Sequence, residues 1–118
     1  MNHKLKTAFD HEMQVAKELY RRRDYVSCFR HLERAHVLGQ RHVMPHTINH
    51  WWMLKVGFRT RDPREIFGQL IRVLGGGIGS LVGRVPIGNT GGANVGVFTP
   101  MPIAPDIAEI FRSAGIEP

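Results

Sequence analysis

Apolar residues recur through the first 74 positions at three- and four-residue intervals, the spacing that puts them on one face of an α-helix. Leu5, Phe9, Val15, Ala16, Leu19 and Tyr20 form the first stripe and predict a helix over 5–22. The polar run Arg21-Arg22-Arg23-Asp24 interrupts it. Tyr25, Cys28, Phe29, Leu32 and Ala35 predict a second helix over 25–39, with Gly39 as a left-handed C-terminal cap. Pro45 suits the first residue of a third helix running to about 59. Asp62, Pro63 and Glu65 then stand at the N-cap, first and third positions of a fourth helix. Ile66, Phe67, Leu70, Ile71 and Leu74 carry that helix to 74.

Beyond this point the periodicity stops. Nine glycines lie between Gly75 and Gly96. Each glycine inside a helix costs about 1 kcal/mol against alanine, so this stretch is expected to be irregular. Val95-Gly96-Val97-Phe98 predicts a short extended segment, and the prolines of 98–103 stiffen another. Pro105-Asp106 opens a last short helix that Gly115 closes. The pattern predicts a mostly α fold in a single domain, 1–118. Residues 1–74 form a small bundle of four helices, 75–104 a glycine- and proline-rich irregular wrap, and 105–115 a terminal helix.

Composition narrows the class. With 42% hydrophobic and 22% charged residues the chain can build one modest core, which excludes a disordered polypeptide. Its net charge of +6 is uneven: residues 1–72 hold fourteen basic and seven acidic residues, and 73–118 two and three. A basic helical half is compatible with a solvated surface, or with weak, sequence-independent nucleic-acid binding at most, because no helix offers an arginine–asparagine reading face. The single cysteine, Cys28, rules out an intrachain disulfide and reads as a small core residue. Met1 to Thr7 do not resemble a signal peptide, and the apolar run Val73–Gly83 is too short to span a bilayer. The expectation is a cytoplasmic protein without a membrane partner.

The candidate chemistry lies in the histidines. His36, His42, His46 and His50 fall within fifteen residues. On a helical wheel Glu12 sits among Phe9, Ala16 and Leu19, and His36 between Phe29 and Leu32. His46 and His50 share a face with Met53, Leu54 and Gly57. The hairpin therefore predicts that Glu12, His36, His46 and His50 point into one space. His42, in the connection, is an additional candidate ligand. A buried carboxylate is costly unless it is paired, and imidazoles with a divalent cation relieve that cost. Zinc, iron and copper suit such a set. The plainer alternative is a polar core pair between Glu12 and His36. His3, His11 and His31 are expected to face solvent.

Asn89, Thr90, Gly91 and Gly92 form the second unusual stretch. Glycines beside Asn and Thr predict either a tight wrap against the helices or a loop whose N–H groups gather an anion. No GxxxxGK[ST] motif occurs, and no lysine follows. Adjacent Trp51 and Trp52 must face different ways, one into the core and the other onto the wrap or a partner chain.

Two resemblances follow from these residues. Ala16, Asp24, Tyr25, Cys28, Leu32 and Ala35 stand at the spacings of a single tetratricopeptide-type hairpin, with Arg23 where glycine is usual. That resemblance implies two closely packed antiparallel helices. The strings from His31 to His42 and from Gly83 to Val95 resemble a family of small bacterial proteins catalogued as a domain of unknown function. This implies a small cytoplasmic bacterial protein and carries no activity. The sequence thus reads as a transition-metal-binding protein with a Glu/His cluster between helices, serving in metal handling. The alternatives are a helical-hairpin adapter for a protein partner, and a small metalloenzyme. No complete catalytic signature decides for an enzyme, and a homo-oligomer is compatible with the pattern.

Overall fold

A computed structural model of the chain describes residues 1–81, 87–96 and 99–118, with backbone alone for 76–81. Five helices are present: α1 (His3–Arg21), α2 (Tyr25–Gly39), α3 (Val43–Thr60), α4 (Pro63–Leu81) and α5 (Pro105–Ser113). No strand occurs among the described residues. The protein is a mostly α small bundle.

Each of the first three helices packs on the next, and α5 lies against α1. The α1–α2 hairpin closes through Arg23, whose φ of 61° is left-handed, at the position where the repeat resemblance expects glycine. Asp24 caps α2 by accepting the Ser27 N–H. The core draws Leu5, Phe9 and Met13 from α1, Cys28, Leu32 and Leu38 from α2, Met53 and Val56 from α3, and Ile107 and Phe111 from α5. Cys28 is fully buried there, and burial pushes its thiol up to about 11. It is the small core residue the pattern predicted.

Three local expectations are corrected. Gly39 ends α2 in ordinary helical geometry; its lack of a Cβ matters because one would lie 2.8 Å from the Phe9 ring. The third helix begins two residues before Pro45, with His42 at its N-cap. The fourth helix does not stop at Leu74 but continues through Gly75 to Leu81. Asp62 does cap it, accepting the Glu65 N–H. Of the extended segment expected at 95–98, Val95 lies in a bend, while Val97 and Phe98 fall outside the described residues. The stretch 99–104 has no regular structure; the Met101 N–H donates to the Ile87 carbonyl and the Thr99 N–H to the Gly96 carbonyl.

Candidate metal centre

The last turn of α2 carries His36, and the first half of α3 carries His46 and His50 one turn apart. Because α2 packs directly on α3, the three rings meet in the interior. All are buried, none more than 7% exposed. Their Nε2 atoms form a nearly equilateral triangle: His36 to His46 is 3.0 Å, His36 to His50 is 3.1 Å, and His46 to His50 is 3.0 Å.

The outer ring nitrogens set the protonation of this triangle. His36 Nδ1 lies 2.6 Å from the Asn89 carbonyl oxygen, which can only accept, so Nδ1 carries the proton. His50 Nδ1 lies 2.7 Å from Gln69 Oε1. The orientation of that amide is fixed on its other side. Its Nε2 donates to the Gly91 carbonyl at 2.8 Å and to the Glu65 carboxylate at 3.1 Å, neither of which can donate in return. Gln69 therefore presents oxygen to His50, whose Nδ1 must also be N–H.

Both Nε2 atoms then bear lone pairs, 3.1 Å apart and aimed at the same point. A neutral pair in this state repels. Either an N–H on His46 Nε2, 3.0 Å from both atoms, or a cation between the rings relieves it. A proton is a poor candidate for that cation: burial, then the neighbouring imidazoles, hold His36 well below the ordinary histidine range and, with His46 beside it, push His50 down to about 3. A metal ion bonded to all three nitrogens offsets the same desolvation. Tetrahedral bonds of about 2.0–2.1 Å set nitrogens roughly 3.3–3.4 Å apart, so the triangle has to open by only about 0.3 Å. Among the described residues His36, His46 and His50 are the group arranged to hold a metal ion.

The glycine-rich segment closes over this group. Gly91 has a φ of 84°, and a Cβ there would lie 2.5 Å from the His36 ring. Only glycine fits on both counts. Asn89 pins the segment, donating from Nδ2 to the Gly96 and Thr99 carbonyls while its Oδ1 accepts the Gly91 N–H. The segment from Asn89 to Gly92 thus serves the histidines. Within and beside it the Gly91 N–H is taken by Asn89 and the Ala93 N–H by the Glu65 carboxylate. The Thr90 hydroxyl is turned to Met101, 3.9 Å from its Sδ.

The expected Glu12 does not join the three histidines. Its carboxylate is buried as foreseen but faces the other side of α2, where it accepts from His31 Nδ1 at 2.7 Å and Arg34 Nε at 2.9 Å. Arg34 continues the network to Asp106 on α5. The polar pairing with His36 is excluded for the same reason, and His31 is half-buried instead of solvent-facing. His42 is half-buried at the start of α3 and lies outside the cluster. His3 and His11 are exposed, as expected. Gln69 was missed. The apolar stripe read along this helix excludes it, and the structure instead buries Gln69 while exposing Phe67, Leu70, Ile71 and Leu74.

The chain belongs to the family described as "Protein of unknown function (DUF3703)". That family's model matches residues 3–111, so it takes in α1 to α4, most of α5 and all three histidines. No curated protein and no solved structure matches the chain. No helix among the described residues is long and apolar enough to cross a membrane.

Proposed function

We propose that this protein binds one transition-metal ion per chain through the Nε2 atoms of His36, His46 and His50, and that it serves in metal handling. The observation that carries the reading is the convergence of three Nε2 atoms within 3.1 Å, two of them fixed as lone-pair donors by Asn89 and Gln69. Metal-bound imidazoles are characteristically held this way, their second nitrogen donating to a carbonyl or carboxylate. With Glu12 committed elsewhere the ligand set is three neutral imidazoles. It lacks the carboxylate of the two-histidine iron sites, which moves zinc and copper ahead of iron.

Elemental analysis of tag-free protein, followed by zinc, copper and iron titrations, tests this. The expected result is one ion per chain with micromolar or tighter affinity. Binding no tighter than about millimolar, some 4 kcal/mol, would refute it.

A further inference from the structure

We propose that the outer face of the α3–α4 hairpin is the contact between two copies of this chain. The proposal is independent of the metal reading. It starts from six large apolar side chains, Trp51, Phe58, Phe67, Leu70, Ile71 and Leu74, each between 40% and 81% exposed. The contacts His50–Gln69 and Gly57–Glu65 fix how α3 and α4 face each other. At 100° per residue, Trp51 and Phe58 then occupy the outer shoulder of α3 and Leu70 the adjoining shoulder of α4, with Leu74, Phe67 and Ile71 carrying the surface round the outer side of α4. The two stripes form one continuous face, on the side of the hairpin away from the histidines.

Two observations identify a second copy as the occupant. The first is area. At roughly 150–250 Å² for a whole aromatic side chain, the exposed parts of these residues present about 600–800 Å², close to the ~800 Å² each partner contributes to a standard interface and above the usual largest patch on a monomer. The second is charge. The chain carries +6, so two copies repel over most of their surface. Among the described residues most of this face is spared, with exposed Arg64 at its edge, one turn before Phe67. The α3 cations fold away from it, Lys55 over the Trp52 ring at 3.7 Å and Arg59 onto the Tyr20 hydroxyl at 2.9 Å. On α4, Arg72 turns to the other side and donates to the Val95 carbonyl. A largely uncharged apolar face is what a two-fold contact requires. The two hairpins would meet as a four-helix interface.

Light scattering coupled to size exclusion on the full chain at micromolar concentration tests this, with circular dichroism to verify the fold. The expected mass is twice that of one chain. Phe67→Glu with Leu74→Glu should halve it while leaving helix content and metal stoichiometry unchanged. Val26→Glu, at an exposed apolar position on α2, should leave the doubled mass intact. A wild-type protein that stays monomeric overturns the proposal, as does a dimer that survives the double substitution or one that Val26→Glu dissociates. Wild-type monomer that sediments with anionic vesicles through Phe67 and Leu74 would overturn it in favour of a membrane surface.

Discussion

Gln69 and Asn89 touch no metal position, yet they decide whether His50 and His36 can bind one. Replacing Gln69 with leucine removes the acceptor that fixes the His50 tautomer. The expected effect is a loss of about 10–100-fold in metal affinity with the fold retained, read by titration calorimetry. His46→Ala with His50→Ala should abolish binding, whereas His3→Ala should leave it unchanged. His31→Ala separates the site from its neighbour. It leaves the buried Glu12 with Arg34 alone, so it should cost about 1–3 kcal/mol of stability while metal affinity stays at the wild-type value. Loss of metal with His31→Ala would return Glu12 and its partners to the site. The three histidines were legible in the sequence because burial follows helical phase. The choice of partner was not, because a wheel gives depth within an element but not which neighbour lies opposite. Glu12 was placed at the right depth and on the wrong side of α2 for that reason. Gly91 was legible as unusual but not as the cover of the distant His36 ring, since nothing local encodes that contact.

At the scale of elements, α4 separates propensity from outcome. Its glycines led to an expected stop at Leu74, yet the helix continues to Leu81. Glycine weakens a helix without forbidding one, and no proline follows Pro63 until Pro86 to end the hydrogen-bond ladder. A Cβ on Gly75 would meet nothing within 4 Å, so Gly75→Ala should raise stability by about 1 kcal/mol, or roughly 3–5 °C in Tm. No gain would show that the segment is not helical in solution. The hairpin turn offers the reverse case: Arg23, left-handed at φ 61°, should gain about 1 kcal/mol as Arg23→Gly by the same thermal measurement. Apart from the end of α4, the helices were legible to within about two residues, because their apolar stripes are long. The wrap was not, because its structure is dictated by the histidine rings and by Glu65 and Gln69.

For the whole molecule, the metal-free state carries a pH signature. His36 and His50 stay neutral in the fold well below the range near 6.5 where they protonate when unfolded, His50 down to about 3. The unfolded chain therefore binds more protons across that window. Stability from the two groups is complete above about pH 6.5 and is lost progressively as the pH falls below it. The Tm of metal-free protein should drop steadily from neutral pH toward pH 4, and a saturating metal should raise it, by about 2.7 kcal/mol at a hundred times the dissociation constant. A Tm indifferent to pH and to chelator would instead favour a plain helical adapter. The most direct test of the central claim is X-ray absorption at the metal edge of the loaded protein. Three imidazole nitrogens at about 2.0–2.1 Å are predicted. A sulfur scatterer near 2.3 Å, or a shell of oxygen without imidazole, would contradict the site built by His36, His46 and His50.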